Sequence, residues 1–166
     1  QTISNVPELI KGNQPTDDGN YLFTTTEKEE FLKIEPSAAK WFRKFIGSTE
    51  FINSIERWCL WLKDISPNEL KLLPKIYERV QNVRTYRLKS PKVATIKKAE
   101  TPALFDEIRH TEKDYLVIPE VSSERRKYLP IGYMEGSVIS SNKNYMFPNA
   151  TLYHFGVLNS IMHNNW

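Results

Sequence analysis

The chain is poor in the residues on which most cofactor and metal chemistry is built. One residue in 166 is cysteine, Cys59, so no internal disulfide can form, which suits a reducing, cytoplasmic setting. Flanked by Trp58 and Leu60, Cys59 reads as a core residue. The six glycines (Gly12, Gly19, Gly47, Gly132, Gly136, Gly156) are scattered. An adenosylmethionine or dinucleotide cradle needs glycines close together, so that backbone can approach the cofactor. There is no Gly-Lys-Ser/Thr phosphate loop, and no Pro-Pro dipeptide from which the Asn/Asp-Pro-Pro-aromatic tetrapeptide of amino-group methylation could be made. Cys59, His110, His154 and His163 lack paired ligand spacing, so no metal centre is expected. No run approaches the ~18 apolar residues of a membrane span, and no charged-then-apolar leader precedes the body of the chain. These gaps predict a chain with no catalysis, cofactor or membrane of its own.

One motif imitates catalysis. Glu69-Leu-Lys71, with Asp64 upstream, looks like half of a nuclease carboxylate motif. Only four residues separate the two acids, too few to return from an adjacent strand. Glu69 also falls at a predicted helix start, where acids are favoured by the helix dipole.

What is present is enough apolar and aromatic residue (40% and 12%) for one compact domain with a proper core. The chain starts at Gln1 and stops at Trp166 within an apolar, helix-like run, which gives the expectation of a piece excised from a longer protein. Net charge is only +3, yet residues 71–98 hold nine Lys or Arg against the single acid Glu78. A basic block on an otherwise acidic body points to a polyanion partner or, equally from charge alone, to a solvated helix face.

Turn formers mark residues 1–20 as a lead-in arm or loop, with a single domain over 21–166. Asn20–Thr24 predicts a strand. Thr26 predicts a helix cap, with Glu27, Glu29 and Glu30 in the first turn and Pro36 at the end. Ser37–Ile46, with Trp41, Phe42 and Phe45 on one face, predicts a second helix. Arg57–Leu62 is apolar on both faces and predicts a central buried strand. A basic helix is expected from Pro67 to about Arg87, with Leu72, Ile76, Val80 and Val83 inward and Lys71, Lys75 and Arg79 on a neighbouring face. Lys92–Thr101 reads as a basic loop. Short strands follow at Tyr115–Pro119, Tyr128–Met134, Val138–Ser140 and Tyr145–Phe147, then a terminal helix capped by Asn149. The expected fold class is α+β: a helical first half packed on a mixed or antiparallel sheet formed mainly by the second half, with a C-terminal helix.

The polar stretches suit two jobs. Lys75, Arg79, Arg84, Arg87, Lys89, Lys97 and Lys98 are candidate phosphate contacts, which position a protein without carrying sequence information. Ser122, Ser123, Glu124, Arg125 and Arg126, between two strands, are candidate base contacts, as are Ser141 and Asn142 in a second polar loop. Arginine can fork onto guanine O6 and N7, a carboxylate can accept from cytosine N4, and a hydroxyl can do either. Either loop could equally be an ordinary solvated turn. Composition does not choose between DNA and RNA.

Four blocks carry a family resemblance: Gly12-Asn-Gln-Pro-Thr-Asp-Asp-Gly-Asn-Tyr-Leu-Phe23, Phe45-Ile-Gly-Ser-Thr-Glu-Phe-Ile-Asn53 running into Arg57–Leu62, Val121-Ser-Ser-Glu-Arg-Arg-Lys-Tyr-Leu-Pro-Ile-Gly-Tyr133, and Phe147-Pro-Asn-Ala-Thr-Leu-Tyr-His-Phe-Gly156. Each resembles the target-recognition region of MmeI-type class I DNA methyltransferases. The stretch 63–101 resembles it in character more than by motif. The resemblance implies a parent with an S-adenosylmethionine-dependent adenine-N6 methyltransferase core, sometimes fused to a nuclease, which flips its target base out of the duplex. This chain would read double-stranded DNA and place that core, its partner in the same polypeptide. The rival expectation is a domain that docks on the core without touching DNA. It is favoured by the apolar residues Leu152, Tyr153, Phe155, Val157, Leu158, Ile161, Met162 and Trp166 spread round the last helix.

Overall fold

The computed structural model of the chain describes residues 8–123 and 125–160. In chain order the elements are β1 (Ile10–Lys11), β2 (Leu22–Phe23), α1 (Thr25–Ile34), β3 (Phe42–Ile46), α2 (Ser48–Asn53) and β4 (Trp58–Leu60). Then come α3 (Pro67–Lys71), α4 (Pro74–Leu88), α5 (Val93–Lys97), β5 (Tyr115–Pro119), β6 (Gly132–Met134), β7 (Ile139–Ser140), β8 (Asn144–Pro148) and α6 (Leu152–Leu158). Helices and antiparallel strands together make an α+β fold, with helix concentrated early and strand late, as the sequence predicts. The chain forms two compact units. One is built from Asn13–Phe45 and Glu56–Ile108; the other takes Ile46–Ile55, the residues before Asn13 and those from Arg109 on.

In the helix-rich unit the antiparallel strands run in the order β2-β4-β3, with Leu22 opposite Cys59 and Phe42 opposite Leu60. The predicted central strand is therefore central, and Cys59, Leu60 and Leu62 are buried on it or just beyond. Burial holds the Cys59 thiol protonated by raising its pKa. Phe23, Phe31 and Phe42 meet edge to face at 5.0–5.7 Å, geometry that adds to their area burial.

Several local expectations change. The cap of α1 is Thr24, not Thr26: its hydroxyl accepts from Glu27 N–H while the Glu27 carboxylate accepts from Thr24 N–H. The predicted helix over Ser37–Ile46 is a 3-10 turn (Pro36–Trp41) followed by β3. Trp61 N–H donates to Trp41 O and Phe45 N–H to Arg57 O, so pairing with the apolar β4 segment overrides an aromatic spacing that looks helical. The predicted basic helix is split into α3 and α4. Pro74 has no N–H and its ring displaces the preceding turn, so Leu72 turns outward and Leu73 takes the buried place. The Lys92–Thr101 loop contains α5 and a 3-10 turn. Within the lead-in, Asn13 and Asp17 are buried and the Asp17 carboxylate accepts Tyr21 N–H at 2.6 Å.

The inner face of α4 carries Ile76, Val80, Val83 and, fully buried, Arg87. All five N–H groups of an arginine fork are occupied here. Nε donates to Thr16 O at 3.0 Å, Nη1 to Lys98 O and Thr101 O at 2.9 and 3.3 Å, and Nη2 to Pro15 O and Leu104 O at 2.9 and 2.8 Å. The start of α4 is held by the buried Glu35, whose carboxylate accepts from Lys75 N–H and Ile76 N–H.

In the sheet-rich unit the order is β1-β8-β5-β6, all antiparallel, with Ile10 opposite Met146 and Val117 opposite both Met146 and Gly132. Tyr115, Val117 and Met146 form its buried centre, closed over by Ile10, Phe51 and Met134. The strand expected from Tyr128 begins only at Gly132. The cap of α6 is Thr151, paired with the His154 ring, while Asn149 instead takes a left-handed turn (φ 58°). Residues Ile161, Met162, His163 and Trp166 lie outside the described residues.

Replacing Arg87 by methionine removes the fork's donor from Thr16 O and Leu104 O, while Lys98 O, Thr101 O and Pro15 O keep the N–H groups of Thr101, Leu104 and Asp106. Each acceptor left unpaired costs about 1–3 kcal/mol, so with two of them R87M should lower the urea midpoint by the equivalent of about 2–6 kcal/mol. A wild-type midpoint would show that the fork does not anchor this unit.

Candidate nucleic-acid interface

On the helix-rich unit the basic residues of 71–98 separate into two kinds. Arg84, Lys89 and Lys97 are exposed on α4, at its end and on α5. Lys75 is exposed and pairs with Glu78 at 2.9 Å along the helix, while Lys98 donates to Asp106 O at 2.6 Å. Arg79 is half-buried: its guanidinium lies 4.4 Å from the centre of the Phe23 ring and donates to Asn20 O at 3.0 Å. Arg87 leaves the candidate set altogether, since a side chain with no exposed surface and five carbonyl partners cannot reach phosphate. Charge density in the sequence could not tell this structural cation from its solvent-facing neighbours.

Beside α4 runs a cleft of about 360 Å³ lined by Asp18, Asn20, Asn82, Thr85, Tyr86 and Lys89. Asp18, Asn20 and Asn82 are not among the contacts expected from the sequence, although Asp18 and Asn20 fall in the Gly12–Phe23 block. The signal available was the spacing of 82, 85, 86 and 89, which share one helix face. A second cationic spot joins Lys28, with Nζ 3.1 Å from the centre of a Trp58 ring, and Lys44, paired with Glu56 at 3.1 Å.

On the sheet-rich unit, Ser122, Ser123, Arg125 and Arg126 are exposed in the segment between β5 and β6, and Glu124 lies outside the described residues. Arg126 N–H donates to Ser123 O at 3.0 Å and Arg125 N–H to Ser123 Oγ at 3.3 Å. Ser123 thus shapes the turn, and the two arginine side chains are what it presents. The second polar loop corrects its prediction. Ser141 is buried, its backbone N–H donates to Ile46 O, and its Oγ accepts from Lys143 N–H. Asn144, also buried, donates through Nδ2 to Ile46 O and Ser140 Oγ. These groups satisfy buried backbone, as buried polar atoms must, and Ser141 is withdrawn as a groove contact. Asn142 is half-exposed at the tip.

No glycine cradle suited to adenosylmethionine is assembled among the described residues. Gly12 and Gly136 admit neighbouring backbone instead, since a Cβ at either would overlap the carbonyl of Ser141 or Glu112. Glu69, the nuclease look-alike, is spent structurally: Lys40 Nζ, Ser66 Oγ and Ser66 N–H all donate to its carboxylate.

One unit exposes cations on its helices and the other exposes arginines on a turn. The chain belongs to the family of MmeI target recognition domains, whose family model matches residues 1–166. It is 41% identical over 164 residues to DNA methyltransferase A of Bacillus subtilis (strain 168), a match taking in 99% of this chain and 19% of that protein. The type IIL restriction-modification enzyme MmeI, solved in complex with DNA, superposes with a TM-score of 0.97 at 48% identity, over 100% of this chain and 22% of that one. The chain therefore spans about a fifth of the length of each. The family resemblance carried by the four sequence blocks is confirmed.

Glu69 gives a pH test. Lys40, then the Ser66 hydroxyl and N–H, hold its carboxyl down from 4.5 to about 2. A depressed native pKa contributes stability that is complete above the unfolded value and fades as pH falls toward the native one. The stability difference between wild type and E69Q should thus be full above about pH 4.5 and vanish near pH 2. A difference independent of pH across this window would refute the ionic role.

Proposed function

We propose that this chain is a sequence-reading domain for double-stranded DNA that positions a methyltransferase core elsewhere in the parent polypeptide. Family membership carries the reading, and the MmeI structure in complex with DNA supports the choice of DNA over RNA. Arg84, Lys89 and Lys97, with Lys75 and Lys98 beside them, would neutralise phosphates. Ser122, Arg125, Arg126 and Asn142 would reach the groove. The chain contributes no catalytic step. S-adenosylmethionine and adenine-N6 transfer, with or without a nuclease, belong to the rest of the parent, which the methyltransferase relative supports. A cytoplasmic location follows from that role. No helix among the described residues is long and apolar enough to cross a membrane.

One observation favours a docking role alongside. Leu152, Tyr153 and Val157 on α6 are 80%, 75% and 46% exposed, more apolar surface than a solvent-facing helix usually shows. Docking and DNA reading are compatible.

Duplex titration at several salt concentrations tests the proposal. The chain should bind duplex DNA more weakly as salt rises, and R84A or K97A should each reduce the log–log salt slope by about one while weakening all sequences alike. R126A should instead weaken binding or alter base preference. Salt-independent behaviour, or preference for structured RNA in competition, would overturn the DNA assignment.

A further inference from the structure

The cleft between the Asp17–Asn20 turn and α4 has a composition unlike a phosphate grip. Its wall on α4 is a single helix face carrying Asn82, Thr85, Tyr86 and Lys89, and its opposite wall carries Asp18 and Asn20. The face is solvent-accessible, with Asn82, Thr85 and Lys89 exposed and Tyr86 41% exposed. α4 has 15 residues, about 22 Å of helix at 1.5 Å per residue, and a major groove about 12 Å wide admits such a helix.

Both walls are held rigid, as a reading surface requires. The turn takes left-handed backbone at Thr16, Asp18 and Gly19 (φ 46°, 52° and 74°). It is fixed by Asn20 N–H and Nδ2 donating to Asp17 O, by Tyr21 N–H donating to the Asp17 carboxylate, and by Arg87 donating to Thr16 O and Pro15 O. Arg79 donates to Asn20 O, and Asn82 Nδ2 donates to Asn20 Oδ1 at 3.4 Å, which orients the Asn82 amide. Strained, over-determined backbone of this kind concentrates at functional sites.

The chemistry decides what the cleft would take. Exposed Asp18 shares the cleft with exposed Lys89. A carboxylate repels phosphate, so it weakens a pure backbone grip, but it accepts a hydrogen bond from the amino group of cytosine. An amide such as Asn82 matches the N6 and N7 edge of adenine, and Lys89 matches guanine O6 or N7. A repulsive group beside attractive ones is how a surface rejects wrong partners.

We propose that this cleft is a base-reading site, with Asn82, Lys89 and Asp18 as specificity-determining residues in addition to the turn at 122–126. It rests on the DNA-reading function proposed above.

The test uses the 166-residue chain and a pool of duplexes randomised over one helical turn, comparing wild type with D18N, N82A and K89A. Asparagine tolerates left-handed backbone, so D18N should fold, and thermal melting checks all three. D18N is expected to bind the unselected pool more tightly yet lose about 10-fold of its discrimination at one or two positions. N82A should lose preference at a position with little change in pool affinity, and K89A should lose both. Folded variants that enrich the wild-type consensus with undiminished discrimination would overturn the cleft assignment and leave DNA reading intact. If wild type itself enriches no sequence, both proposals fall.

Discussion

The guanidinium of Arg87 organises the helix-rich unit. Its five N–H groups gather five carbonyls from three stretches of chain: Pro15 and Thr16 before β2, Lys98 after α5, and Thr101 and Leu104 beyond. Lys98 O, Thr101 O and Pro15 O also accept the backbone N–H groups of Thr101, Leu104 and Asp106, whereas Thr16 O and Leu104 O take their donor from the fork. A fully buried guanidinium is tolerable only because every donor is engaged. One side chain thereby fixes the far end of α4, the turn that carries Asp18 and the segment leading to Phe105. Phe105 in turn packs edge-on against Trp61 at 5.1 Å and carries the constraint into the aromatic core.

α4 shows how one helix serves two purposes. Its inner stripe of Ile76, Val80, Val83 and Arg87 is buried, so its rotation about its axis is set by packing and by Glu35 at its start. That fixed rotation determines which residues the outer face presents. Side chains on a rigid helix hold position better than side chains on a loop. On the other unit Ser123 accepts the backbone N–H groups of Arg125 and Arg126, and both arginines are exposed. Each unit thus contributes one ordered polar surface, one built by packing and one by turn chemistry.

Much of this was legible in the sequence where one signal dominates. The apolar run Arg57–Leu62 became a central strand because nothing polar competes within it, and the inward stripe of α4 followed from helical spacing. The illegible parts share one cause, long-range partners. Trp41, Phe42 and Phe45 read as a helix face because i, i+1, i+4 spacing is ambiguous over a short window, and β4 settled the matter from 15 or so residues away. Arg87 read as a phosphate contact because a buried cation looks like an exposed one until its acceptors are placed, and they lie as far off as Pro15. Ser141 failed the same way, since the buried backbone it serves includes Ile46. Pro74, by contrast, was a local signal of a helix break within the predicted span.

These failures bear on how a DNA reader can be recognised at all. Total positive charge measures the capacity to hold a polyanion, and here it overstated that capacity by counting a cation used for folding. Sequence discrimination needs something charge does not measure: donors and acceptors of both kinds, held in fixed relation, with a penalty for the wrong base. An exposed acid among bases is costly to phosphate affinity, so it is a more telling sign of base reading than one more lysine. On this chain the mixed-sign surface lies where rigid backbone supports it, along α4 and the Asp17–Asn20 turn, and the same buried Arg87 that is lost to DNA contact is what keeps that turn in place.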